Sequence, residues 1–335
     1  MEKLKTPVVN VKNLIVHYET HDGVVEAVNN VSFSINKGEV LGLVGETGAG
    51  KTTIALSLMN LLPVPPSHVI AGNITLGDTE VVKTDEHGQT YFASKRKMQS
   101  LRGKAVSMIF QDPMTALNPT KYVGDQIAEV IRLHDKCSRA EAMLKACDMI
   151  KTVGITPERY KEYPHQFSGG MKQRIVIAIA LACQPELLIA DEPTTALDVT
   201  IQAQVLEMMK DLQKEHDTAM LMITHDLGIV AEMCDKCAII YAGEIVEYGT
   251  LEHIFDHPMH PYTIGLMESI PSLDRDVERL KPIPGLVADP TKLPSYCSFY
   301  DRCEHHCEKC STGDPELVEV EPGHFVKCFL AKKED

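Results

Sequence analysis

Basic residues are scarce in this 335-residue chain: Lys and Arg total 33 against 47 Asp and Glu, a formal net charge of −14. A surface that grips a nucleic-acid backbone shows the opposite balance, so nucleic acid is not an expected partner. Long apolar runs are lacking as well. The purest one, "IVIAIALAC" at 175–183, has nine residues, about half of what a bilayer-spanning helix needs. The opening "MEKLKTPVVN" has no apolar secretory segment. These absences lead us to expect a cytoplasmic protein that serves a membrane, if at all, by docking on something else. Internal repeats and low-complexity tracts are also missing. With 44 per cent hydrophobic and 24 per cent charged residues, general disorder is not expected, and the length suits about two domains.

What is present alternates between two periods. "VSFSI" at 31–35 reads as a half-buried strand, and "HDG" at 21–23 supplies a turn before "VVEAV". "EVLGLVG" at 39–45, "ELLIADEP" at 186–193 and "TAMLMITHD" at 218–226 are strands without a polar face, which belong to a sheet covered on both sides. "TIQAQVLEMMKDLQKEH" at 200–216 has helical spacing, and strands alternating with helices argue for a parallel α/β sheet. From about 113 to 185 no convincing strand occurs, so this stretch reads as a helical subdomain inserted between strands. After Gly249 prolines accumulate, at 258, 261, 271, 282, 284, 290 and 294, and mark a separate extension.

The sharpest local signal is Gly45-Glu46-Thr47-Gly48-Ala49-Gly50-Lys51-Thr52, followed by Thr53. It fits G-x-x-x-x-G-K-[ST] directly after a strand and at the start of a helix. Glycines let the backbone curl so that its N–H groups face phosphates, Lys51 reaches the β and γ oxygens, and Thr52 offers a hydroxyl to Mg²⁺. Asp191 closes an apolar strand, where an isolated carboxylate is costly, so we assign it to the metal's water shell. Glu192, next in sequence, is placed to take a proton from an attacking water. A second anion grip lies in "FSGGMKQR" at 167–174. Ser168 caps the following helix while Gly169 and Gly170 expose its first N–H groups, and such a helix start attracts phosphate.

The order Lys51, Gln111 in "MIFQDP", Ser168-Gly169-Gly170, "LLIADEP", "ALD" at 196–198 and His225 in "ITHD" resembles the ATP-binding subunit of an ABC transporter, from residue 8 to about 250. The resemblance implies an α/β P-loop ATPase over 1–250: a RecA-like core, an antiparallel β subdomain and the helical insertion at 113–185. It implies that Gln111 contacts Mg²⁺ and senses the γ-phosphate, that His225 hydrogen-bonds the γ-phosphate and holds the attacking water, and that Tyr18 stacks on adenine. It further implies that Ser168, Gly169 and Gly170 close over ATP held by a second, head-to-tail ATPase subunit. The commonest family form is L-S-G-G-Q; here Phe167 and Met171 flank the trio, and Met171 cannot hydrogen-bond as Gln would.

"YPHQFSGGMKQR", "HPYTIGLMESIP" at 260–271 and "PIPG" at 282–285 resemble the D-type ATPase subunit of bacterial dipeptide and oligopeptide importers. This implies a cysteine-rich extension over 251–335. It also implies a second, different ATPase subunit as partner (a homodimer in isolation), two membrane permeases, an extracellular peptide-binding protein acting indirectly, and a peripheral place on the cytoplasmic face of the cell membrane. Nickel and glutathione importers of the same branch carry similar ATPases, so the cargo stays open.

Five of ten cysteines lie in the last 39 residues. Cys297, Cys303, Cys310 and Cys328 form a four-thiol set with Cys307 left over. Four thiolates could hold Zn²⁺ or a [4Fe–4S] cluster, and the spacing by itself mildly favours zinc, since Cys307-x2-Cys310 is a zinc-like pair and the ferredoxin run is absent. The resemblance of "CSFYDRC" to the tail of this transporter branch implies the [4Fe–4S] cluster on those four. A soluble, non-transport ABC ATPase is the rival class. The single P-loop, the 140 residues from Lys51 to Asp191 and the tail motifs argue against it.

Overall fold

The computed structural model describes residues 7–195, 197–269 and 282–331. The opening residues, Ala196 of the "ALD" trio and Pro271 lie outside the described residues. Strand β1 (Val9–Thr20) turns at the expected place into β2 (Gly23–Ile35), its antiparallel partner. β3 (Val40–Val44), buried at every position, feeds a loop and helix α1 (Lys51–Leu58). β4 (Ser67–Leu76), β5 (Thr79–Thr84) and β6 (Thr90–Phe92) then complete a five-stranded antiparallel sheet in the order β2-β1-β4-β5-β6. Helix α2 (Lys95–Leu101) leads to the short strand β7 (Val106–Ile109).

The helical insertion follows: α3 (Pro113–Ala116), α4 (Val123–Asp135), α5 (Arg139–Thr152) and α6 (Gly169–Leu181), with no strand among its described residues. After it come β8 (Leu187–Asp191), α7 (Val199–His216), β9 (Ala219–Thr224), α8 (Leu227–Met233), β10 (Lys236–Tyr241) and β11 (Glu244–Thr250). The remainder holds α9 (Leu251–Asp256), α10 (Pro261–Glu268), β12 (Val318–Glu321) and β13 (His324–Val326).

The second sheet runs β12-β13-β11-β10-β3-β9-β8-β7, parallel from β10 to β7. Its central strands are apolar throughout because each face has its own core. Val40, Val44, Met220 and Met222 point to the face covered by the helical insertion and α7. Leu41, Leu43, Leu221 and Ile223 point to the face shared with α1 and the antiparallel sheet. Parallel strands deliver their C-terminal ends to one edge, where ligands of open α/β sheets bind. Val44 pairs with Thr224, and Asp191 with Ile223, so the loops after β3, β8 and β9 leave the sheet at one level.

The extension joins this frame directly. β13 pairs with β11, so its hairpin continues the ATPase sheet. Glu247 of β11, fully buried, accepts from the N–H groups of Met259 (2.8 Å) and His260 (3.0 Å) and lies 2.9 Å from Nε2 of His324. Phe299 packs its ring against Tyr241 and Tyr262, at centroid distances of 5.1 and 5.5 Å.

Candidate functional site

The loop between β3 and α1 takes its shape from its glycines. Gly48 and Gly50 have φ of 85° and 94°, in the left-handed region that favours glycine. A Cβ at Gly45 would overlap the carbonyl oxygen of Ile240, and one at Gly50 would overlap that of Ala27. The loop therefore lies tight against the sheet, and the N-terminus of α1 opens into a cleft of about 280 Å³. Thr47, Gly48, Gly50, Lys51, Thr52 and Thr53 line the cleft on one side, with Gln111, Glu192 and His225 opposite. Gly45, Glu46 and Ala49 are not among the lining residues; they support the loop from behind.

Lys51 is buried, and its Nζ donates to the carbonyl oxygens of Gly45 (2.7 Å) and Glu46 (3.0 Å). Burial lowers its pKa, and the carboxylates of Glu192, Asp191 and Glu46 offset only part of that. Thr52 donates its hydroxyl to Oδ2 of the buried Asp191, at 2.9 Å. Burial raises the pKa of Asp191, against the Thr52 bond and Lys51, so its carboxylate is costly to charge without a cation.

Glu192 turns away from β8 with φ of 48°, a left-handed conformation unfavourable for a side chain of this kind. Its Oε2 accepts from Nε2 of Gln111 (2.9 Å) and the hydroxyl of Thr195 (3.0 Å), and Oε1 lies 3.1 Å from Nδ1 of His225. Three residues from three different loops thus converge on one carboxylate. Thr195 has no distinctive signal in the sequence. The hydroxyl of Tyr18 lies 3.3 Å from that of Thr53, but its ring packs against the core under the antiparallel sheet and does not line the cleft.

Ser168 caps α6, accepting from the N–H of Met171 at 3.4 Å. Gly169 faces open space, whereas a Cβ at Gly170 would meet the side chain of Ile201. None of the three lines the cleft of its own chain. The two residues that depart from the common family form are held by Arg159. Its guanidinium lies 4.2 Å from the centre of the buried Phe167 ring and donates to the sulfur of Met171 at 3.2 Å.

The family model described as "ABC transporter" matches residues 28–195, and that described as "Oligopeptide/dipeptide transporter, C-terminal region" matches 246–310. The oligopeptide transport ATP-binding protein OppD of Bacillus subtilis is 47% identical over 97% of this chain and 89% of its own. The dipeptide transport ATP-binding protein DppD of the same organism is 46% identical over 96% of this chain and 94% of its own.

The chain belongs to this ABC transporter family. It is the ATP-binding, ATP-hydrolysing subunit of an oligopeptide or dipeptide transporter. The dimeric structure of the ATP-binding cassette MJ0796 bound to ADP and Pi superimposes with a TM-score of 0.62 over 72% of this chain and 98% of that one, at 23% identity. That likeness is one of fold. No described helix is long and apolar enough to cross a membrane.

In the C-terminal region the four expected cysteines lie within electrostatic reach of one another, and Cys307 lies within reach of Cys303, Cys310 and Cys328 as well. Burial, with the nearby Cys310, Cys328 and Cys303 behind it, pushes the Cys297 thiol up to about 11, against one N–H from Phe299. Cys307 and Cys310 have their sulfurs 3.4 Å apart. Among the described residues all ten cysteines are free thiols, and no three His, Cys, Asp or Glu side chains are placed to share one metal ion.

Proposed function

We propose that this ATPase powers peptide import by in-line attack of water on the γ-phosphate, with Glu192 as the base. The observation that carries the reading is the half-buried Glu192 carboxylate, held by Gln111, Thr195 and His225 across the cleft from Lys51. The glycine loop, with Thr52 and Thr53, binds the phosphates through backbone N–H groups and the helix N-terminus. Lys51 exchanges its carbonyl partners for β and γ oxygens, and burial keeps its charge effective there.

Thr52, Asp191 and Gln111 would hold Mg²⁺; a hydroxyl, a buried carboxylate and an amide oxygen form the hard oxygen set that this cation prefers. When bound, the ion neutralises charge on the β- and γ-phosphate oxygens. Gln111 spends its amide N–H on Glu192, which leaves its oxygen for the metal. His225 positions the water beside Glu192. Tyr18 would stack on adenine beside Thr53, whose hydroxyl lies 3.3 Å from its own.

The exposed Ser168 and Gly169, with Gly170, serve the nucleotide of a second ATPase subunit, so two chains enclose each ATP. The pair sits on the cytoplasmic face of two permeases, and an extracellular peptide-binding protein supplies the cargo. Cys297, Cys303, Cys310 and Cys328 would hold a [4Fe–4S] cluster. The support for this reading is the resemblance of "CSFYDRC" to the tail of the peptide-transporter branch.

Peptide uptake by cells lacking their own importer decides the cargo. The chain, expressed with its two permeases, partner ATPase and binding protein, should restore growth on oligopeptides or dipeptides. Restored nickel or glutathione uptake with no peptide uptake would reject the peptide reading.

A further inference from the structure

Glu46, the second residue of the phosphate loop, is gripped through every polar group it has. Its carbonyl oxygen accepts from Nζ of Lys51 (3.0 Å) and from the N–H of Ala49 (3.2 Å). Its own N–H donates to the hydroxyl of Tyr262 at 3.1 Å. Its carboxylate receives two parallel bonds from Arg302, Nη1 to Oε2 at 2.7 Å and Nη2 to Oε1 at 3.1 Å. The first pair of bonds arises within the loop. The other contacts come from the C-terminal extension, 216 and 256 residues along the chain. Neither Tyr262 nor Arg302 lines the nucleotide cleft.

Both partners are held rigidly. The Arg302 side chain is 5% exposed, its Nε donates to the carbonyl of Pro284 at 3.0 Å, and its guanidinium lies over Tyr241 (5.6 Å) and Phe299 (5.9 Å). Tyr262 is fully buried, its ring 4.8 Å from that of Tyr241. A planar guanidinium fixed by packing and a third hydrogen bond loses little freedom when it pairs bidentately, so it defines a position rather than a loose attraction.

A glycine-rich loop is entropically costly to order around a phosphate chain. Anchoring Glu46 removes part of that cost before nucleotide arrives, and it fixes the carbonyl on which Lys51 rests. We propose that Arg302 and Tyr262 are positioning residues for the phosphate loop: the C-terminal extension holds the loop ready for nucleotide, so ATP affinity depends on it while the chemical step does not. This rests on the loop being the nucleotide site, which the wild-type titration tests separately. If the contacts served only to fasten the extension, their loss would lower stability and leave the affinity of folded protein unchanged.

The test is a titration of the full-length chain with a fluorescent ATP analogue and Mg²⁺, beside a thermal melt of each variant. Failure of the wild type to bind would sink the nucleotide reading itself. Given wild-type binding, Arg302→Met and Glu46→Gln should each weaken affinity about tenfold. The double variant should be no weaker than either single one, because both remove the same pair. Tyr262→Phe should cost about threefold, and for Arg302→Met and Tyr262→Phe turnover at saturating ATP in the assembled transporter should stay within about twofold. Cooperatively melting variants with wild-type affinity would overturn the proposal, as would additive losses in the double variant. Should Arg302→Met fail to fold, Glu46→Gln decides alone, since it changes a partly exposed loop side chain to its neutral isostere.

Discussion

Oε1 of Glu192 stands 3.1 Å from Nδ1 of His225 while Oε2 of the same carboxylate takes up Gln111 and Thr195. Burial pushes the pKa of Glu192 up, but the bonds with His225, Thr195 and Gln111 outweigh it and leave the carboxyl below its ordinary value. It is therefore ionised at neutral pH, as a base must be, and its donors fix where it points. Glu192→Gln preserves shape and removes basicity. We expect it to bind ATP normally and to lose hydrolysis by about 10²–10⁴-fold in the assembled transporter. Turnover close to wild type would take the base role away from Glu192.

The glycines divide by what surrounds them. Gly50→Ala sets a Cβ against the carbonyl of Ala27 at a φ of 94°, so the loop must deform. Nucleotide binding should be lost, and the melting temperature should fall. Gly169→Ala meets nothing within 4 Å and should melt like wild type. It should nonetheless impair hydrolysis once the two subunits are paired, because the exposed helix start is where the second nucleotide is expected. Equal ATPase rates for Gly169→Ala and wild type in the full transporter would count against the shared site.

Glu247 is the buried acceptor that latches the extension onto β11. Glu247→Leu leaves the N–H groups of Met259 and His260 and the ring of His324 without their acceptor. Each buried group stranded in this way costs about 1–3 kcal/mol. The variant should melt well below wild type, and limited proteolysis should cut first in the extension. Unchanged melting and unchanged cleavage would show that the hairpin pairing alone holds it.

The phosphate loop, the central strands and the helical insertion were legible because their chemistry is local. A loop that must curl around anions needs glycines at fixed offsets, and a strand buried on both faces has no room for polar residues. β4 to β6 and β7 were not. β7 is only four residues long, and β4 carries Gly72 where its backbone crosses close to Leu14, which interrupts the alternation. That Gln111 and His225 belong with Lys51 and Glu192 was implied by the family resemblance of the ordered motifs, since neither residue carries a distinctive local signal. The grip of Arg302 on Glu46 did not, since nothing in "CSFYDRC" indicates which surface its arginine will meet.

The proposed division of the five C-terminal cysteines into four ligands and a bystander can be measured. Cys297 feels Cys303, Cys310 and Cys328, and Cys307 also lies near Cys303, Cys310 and Cys328, with its sulfur 3.4 Å from that of Cys310. If the first four form the corners of a cluster, protein purified without oxygen should be brown and carry about four iron and four acid-labile sulfide per chain. Cys297→Ser, Cys303→Ser, Cys310→Ser and Cys328→Ser should each lose colour and iron, while Cys307→Ser keeps both. About one zinc per chain in colourless protein would assign the site to Zn²⁺ instead. Loss of iron in Cys307→Ser with retention in Cys310→Ser would exchange the two, a change that their adjacency makes easy and that only this pair of variants distinguishes.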